Sequence, residues 1–146
     1  MNRIIHRKSI LLLYFTFIVF AYSQSKQALE TYANKILESH GRTYIIANII
    51  SYTETRLDLT FNFLRSNSDS VLMEDLIACA DAVTQLSKKD SRFSSRIYLY
   101  DKGEEFGWIL MRHCEEALKL GSFQERGAYL LSHIKGLASL KKLLNF

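Results

Sequence analysis

Between residues 56 and 64 the chain alternates strictly, with Leu57, Leu59, Phe61 and Phe63 on one side and Arg56, Asp58, Thr60 and Asn62 on the other. Successive side chains of a strand point to opposite faces, so the pattern predicts a half-buried strand. Residues 43–52 are rich in Ile and Tyr and apolar at both parities, which predicts a second strand in a central position. The short polar link Thr53-Glu54-Thr55 joins the two as an antiparallel hairpin. A third strand is predicted over residues 96–101, where Ile97 and Leu99 oppose Tyr98 and Tyr100, and Asp101-Lys102-Gly103-Glu104 supplies a turn.

Elsewhere the apolar spacing is helical. Over residues 25–40, Leu29, Tyr32, Ala33, Ile36, Leu37 and His40 recur on one stripe, and Gly41 provides a stop because it takes positive φ cheaply. Residues 69–88 carry a stripe of Leu72, Met73, Leu76, Cys79, Ala80, Val83 and Leu86, with Lys88 and Lys89 suited to the negative helix end. The next segment is ambiguous. Phe106, Ile109, Leu110, His113, Cys114, Ala117 and Leu118 fit a helix ending at Gly121, although residues 107–111 can also begin a fourth strand; the helix is the favoured reading. Ser122 and Glu125 then match a capping box opening a last helix from about residue 123 to 144. The predicted order is α-β-β-α-β-α-α, an α+β domain with a small antiparallel or mixed sheet of three to four strands packed with about four helices.

The first 23 residues follow a different logic. Arg3, His6, Arg7 and Lys8 are followed by an uncharged apolar run over residues 10–21, then the small-x-small tripeptide Ala21-Tyr22-Ser23 and a polar stretch. That order is expected of a secretory signal peptide cleaved after Ser23, leaving residues 24–146 as a single domain. An uncleaved anchor is the rival reading, but a spanning helix needs about 20 consecutive apolar residues. No Cys stands at the junction to accept a lipid. Export places the chain in the periplasm or outside the cell, and the leader style with abundant Lys, Ile and Ser suggests a bacterial source.

The leader also changes the charge balance. Three of the 19 basic residues and none of the 15 acidic ones lie in it, so the net charge of +4 falls to +1 in the mature chain. A near-neutral chain gives no support for nucleic-acid binding, which needs many cations aimed at phosphates. Export makes a disulfide between Cys79 and Cys114 permissible, while their place in apolar stripes favours two buried thiols.

Catalytic chemistry is weakly signalled. There is no Gly-x-Ser-x-Gly elbow, no phosphate-cradling glycine loop and no metal-ligand spacing among His40, His113 and His133, so no cofactor or metal is expected. A spatial pair of Cys79 with His40 or His133 would need an exposed thiol of lowered pKa. The acidic pairs Glu74-Asp75, Glu104-Glu105 and Glu115-Glu116 read as solvated surface charge.

The outer face of the sheet is the leading candidate site. If the Leu, Ile and Phe positions face the core, Arg56, Asp58, Asn62, Arg96, Tyr98 and Tyr100 share the opposite face with Thr60, and Tyr44, Asn48 and Tyr52 extend it. Tyrosine beside Arg, Asn and Asp combines flat apolar area with polar handles, a composition usual in recognition surfaces. The alternative is that a helix covers this face and the tyrosines are packing partners. A second candidate is the locally basic C-terminal helix with Arg126, Lys135, Lys141 and Lys142, able to meet an anionic membrane surface or an acidic partner, the alternative being ordinary solvent-facing lysines.

The expected function is that of an exported, non-catalytic binding or accessory protein of the cell envelope, with another envelope protein or a small ligand as partner. A small secreted enzyme and a structural or assembly subunit are the alternatives. The leader reading is checked by the intact mass of exported protein, expected to begin at Gln24 within about two residues; retention of residues 1–23 in the membrane fraction refutes it.

Overall fold

The computed structural model describes residues 25–64 and 69–136. A helix, α1, over residues 25–39 leads into a hairpin of β1 (Ile45–Tyr52) and β2 (Leu57–Phe63). The long helix α2 (Asp69–Lys89) follows, then a second hairpin of β3 (Phe93–Asp101) and β4 (Glu104–Leu110), and finally α3 (Met111–Leu118) and α4 (Phe123–His133). The strands lie in the order β1-β2-β3-β4, antiparallel within each hairpin and parallel at the β2–β3 junction. Parallel neighbours need a crossover connection, and α2 is that connection.

The fold is thus α+β, with one more strand than the favoured sequence reading. The core forms where the alternating strand residues meet the helical stripes. Leu57, Leu59 and Phe61 of the central strand are completely buried against Leu76, Cys79, Val83 and Leu86 of α2, with Ile97, Leu99 and Ile109 from the second hairpin. Ala33, Ile36 and Leu37 of α1, Cys114 and Ala117 of α3, and Leu130 of α4 complete it. All four described helices lie on this side of the sheet: α1 is tied to α2 by Tyr32–Gln85 and His40–Asp81 bonds, and α3 and α4 pack on α2.

Both sheet edges are sealed. On β1, the Asn34 amide accepts from the Ala47 N–H at 2.9 Å and donates to the Ala47 carbonyl at 3.1 Å, while Glu30 accepts from the Ile49 N–H at 2.8 Å. Four residues of helix rise about 6 Å and two of strand about 6.8 Å, so carboxylate and amide one helical turn apart reach alternate strand residues. On β4, the Trp108 N–H donates to the Lys135 carbonyl at 3.0 Å and the Lys135 N–H returns the bond at 2.8 Å. This closure needs glycine: a Cβ on Gly107 would stand 2.6 Å from the Lys135 carbonyl oxygen and 2.8 Å from an Ile134 methyl.

Three expectations are corrected. Residues 104–110 are strand, and the chain passes from Leu110 straight into α3. A bulge beside Leu99 turns both Phe106 and Gly107 inward, which erases the alternation that would have marked the strand. β1 is an edge strand and not a central one; Ile46 and Ile50 are exposed on its outer side. The last helix opens with the expected Ser122–Glu125 capping box but stops at His133, because Ile134 is extended and pairs the following residue with β4. Residues 1–23, and Lys141 and Lys142 of the expected longer helix, lie outside the described residues. None of the described helices is long and apolar enough to cross a membrane.

Two variants test this packing by urea denaturation. Phe61→Ala removes a fully buried ring and is expected to cost roughly 3–5 kcal/mol. Asn34→Ala strips the Ala47 edge groups of both bonds and is expected to cost roughly 1–3 kcal/mol. A midpoint for Asn34→Ala equal to wild type would show that water replaces the amide without loss.

Candidate functional site: the open face of the sheet

With the described helices all on one side, the other face of the sheet carries two rows set by strand register. Asn48, Thr60, Tyr98 and Trp108 form one, and Ile46, Asn62, Tyr100 and Glu105 the next. Of the residues singled out from sequence, Arg56, Asp58, Asn62, Arg96, Tyr98 and Tyr100 do share this side, and among the described residues no helix covers it.

They are not equally available. Asp58 and Thr60 are only 8% and 4% exposed although they point outward. Both sit on a strand with a neighbour on each side: Thr60 lies between Asn48 and Tyr98, and Asp58 lies beside Ser51 with the Arg56 side chain bonded to it. The expectation of an exposed Asp58 is therefore corrected: it lies on the floor, held by Arg56 Nε at 2.8 Å. The hydrogen bond to Asp58 raises the Arg56 guanidinium above its ordinary value, with a further contribution from the Asp58 charge. The Thr60 hydroxyl donates to the Asn48 carbonyl at 3.2 Å. Asn62 accepts from the Gly103 N–H at 3.0 Å and braces the β3–β4 turn. Tyr100 is partly desolvated, and its burial, then the nearby Glu105 carboxylate, push its phenol up.

Tyr44 and Tyr52 do not extend the face as expected. Tyr44 donates its hydroxyl to Asp75 of α2 at 2.5 Å, and Tyr52 packs against the core beneath Arg92. Sequence reasoning missed two contributors. Trp108 was hidden by the helical reading of its segment; its ring carries the Arg96 guanidinium 4.6 Å from the ring centroid. Ile46 and Ile50, 36% and 60% exposed, are the other. Their alternation with buried Ile45, Ala47 and Ile49 was concealed because the strand is apolar at both parities.

Other polar clusters serve packing. Asp75, expected in a solvated acidic pair, is completely buried and meets Arg42 Nε at 3.1 Å, while Glu74 pairs with the same guanidinium. An unpaired carboxylate there would be costly, which explains the arginine. Between α3 and α4, Tyr129 stacks on His133 with ring centroids 4.1 Å apart, and the His113 ring lies tilted 4.3 Å from that of His133. The Tyr129 hydroxyl donates to Glu116, which lowers that carboxylate and raises the phenol. Among the described residues, no group of three or more His, Cys, Asp or Glu is arranged to hold a metal ion.

Cys79 and Cys114 are both buried and free, so the disulfide considered from sequence is not formed in this structure. They line an apolar void of about 10 Å³ between the sheet and the helices. Burial pushes the Cys79 thiol well up and the Cys114 thiol up to about 12. A nucleophilic thiol needs the opposite shift and access to solvent. His40, considered as its partner, instead bonds Asp81 at 2.8 Å.

Compared with models of known protein families, with curated proteins and with solved structures, the chain matches none.

The thiols give a direct check. Native protein at pH 8 is expected to leave both unreacted toward a disulfide reagent while the urea-unfolded chain reacts fully; one rapidly titrating native thiol refutes the burial. Because folding raises both thiols, their contribution to stability is full below the unfolded value of about 8.5. The Cys114 share is lost as pH rises from there toward about 12, and the Cys79 share as pH rises well above the ordinary thiol range.

Proposed function

We propose that this chain is an exported, non-catalytic binding or accessory protein of the cell envelope, and that it recognises its partner through the open face of the sheet. One observation carries the reading: Tyr98, Arg96, Trp108, Ile46 and Ile50 stand together on a face that no described helix covers. A sheet that buries one face and leaves aliphatic and aromatic groups on the other offers a ready interaction surface. Tyrosine suits that role because it contributes large contact area while fixing few torsions. The order of residues 1–23, basic then apolar then small-x-small, supports export.

The test is the double variant Tyr98→Ala/Tyr100→Ala. Each half-exposed tyrosine contributes cross-strand contacts of roughly 0.2–1 kcal/mol, so the melting temperature is expected to fall by less than about 10 °C. The variant is expected to lose a partner that wild-type protein recovers from envelope fractions. A loss of roughly 3–5 kcal/mol per ring, as for buried aromatics, or unchanged partner recovery, refutes the reading.

A further inference from the structure

Three arginines stand at one end of the sheet, and they differ in a way that points to a ligand. Arg56 is matched by Asp58. Arg92 lies 4.9 Å over the Tyr52 ring centroid, and Asp90 takes its fork through Nε at 2.9 Å and Nη2 at 2.5 Å. Ring, guanidinium and carboxylate together form a complete stack, and Arg92 also donates to the Thr53 carbonyl. Arg96 repeats only the first half. It is exposed, its guanidinium is stacked on Trp108 at 4.6 Å, and no described carboxylate lies within ion-pairing distance of it. Stacking fixes the plane of a guanidinium and leaves its edge donors pointing away from the ring, which is the arrangement that receives a carboxylate through two parallel hydrogen bonds.

The surroundings say what carries that carboxylate. The short, buried side chains of Asp58 and Thr60 form the floor of a shallow trough between β1, where Asn48 stands beside Thr60 and is flanked by Ile46 and Ile50, and β3, which carries Arg96 and Tyr98. Two strand spacings make the trough about 10 Å wide, close to the 10–12 Å width of a helix with its side chains. One wall carries Ile46 and Ile50 with the polar Asn48 between them, and the other ends in a cation that no described carboxylate matches. An acidic saccharide would leave Ile46 and Ile50 without an apolar partner, whereas the apolar stripe of an amphipathic helix covers them.

We propose that Arg96 is a carboxylate receptor for an aspartate or glutamate of an amphipathic helix of a partner protein, seated along the trough with its apolar side chains on Ile46, Ile50 and Tyr98. This rests on the reading of the open face as the recognition surface and gives that surface a partner of defined chemistry.

Three synthetic amphipathic helical peptides test it, sharing one leucine stripe and carrying Glu, Gln or Lys at the positions flanking it. Binding is read by fluorescence anisotropy and by the side-chain N–H resonances of Arg96 and Trp108. The Glu peptide is expected to bind at least tenfold more tightly than the Gln peptide, with the Lys peptide weakest, and to shift both resonances. Arg96→Gln is expected to abolish the Glu-over-Gln preference, and Arg96→Lys, which keeps charge but lacks the fork, to restore less than half of it on a logarithmic scale. Equal binding of Glu and Gln peptides, or a preference that survives Arg96→Gln, overturns the proposal. So does an oligogalacturonate that shifts these resonances when the peptides do not. If Ile50→Asp and Tyr98→Ala abolish binding of all three peptides while Arg96→Gln changes nothing, the open-face reading stands and only the carboxylate assignment falls. If no peptide shifts any residue of the face, both fall.

Discussion

The packing of α2 against β2 is the constraint from which the remaining architecture follows. Leu57, Leu59 and Phe61 are fully buried beneath Leu76, Val83 and Leu86, and the same helix carries the chain from one hairpin to the next. Because α2 returns the chain to the same end of the sheet, β3 must run parallel to β2, and the two hairpins meet at the only parallel junction among the described strands. A helix that covers the middle of the sheet leaves room at its flanks on the same side. There α1, α3 and α4 bury the inward residues of the outer strands, so that with α2 they cover one face of the sheet, while no described helix lies on the other.

A four-stranded sheet still has two edges with free backbone groups, and exposed edges invite pairing with other chains. The protein closes each by a different device. At β1 the amide and carboxylate of Asn34 and Glu30 stand in for a neighbouring strand, so a helix does the work of a fifth strand. At β4 the chain after α4 pairs backbone to backbone with Trp108, over a glycine that a larger residue would push away. With edges occupied and one face under helices, the outer face is the one that no described helix covers. At one end of the sheet Arg92 is paired with Asp90, whereas Arg96, over the Trp108 ring, has no described carboxylate within ion-pairing distance.

Local pattern made much of this legible. The strict alternation at Leu57–Phe63 identified the central strand and its inner residues, the helical stripes located α1 and α2 to within a residue or two, and Ser122 with Glu125 marked the start of α4. In each case the signal lies within a few consecutive residues, because strand parity, helical periodicity and capping are local geometry. The sequence also placed Arg56, Asp58, Asn62, Arg96, Tyr98 and Tyr100 on one side of the sheet, since parity alone fixes the side.

What it did not contain was set by partners distant in the chain. Residues 104–110 are strand because they pair with β3, and their alternation is broken by a bulge that exists only in that pairing. The last helix ends at His133 because Lys135 finds Trp108, and not because of its own propensity. Asp75 is buried because Arg42 and Tyr44, more than thirty residues earlier, arrive to satisfy it. Whether Asp58 was exposed, whether Tyr52 belonged to the open face, and whether Arg96 had a carboxylate depended on the heights and neighbours of side chains on adjacent strands. Sequence by itself determined which residues alternate, which repeat at helical spacing and where helices start. Tertiary structure alone decided which face the described helices cover, how the sheet edges close and which arginines find a described carboxylate, because those are properties of contacts between segments that only folding brings together.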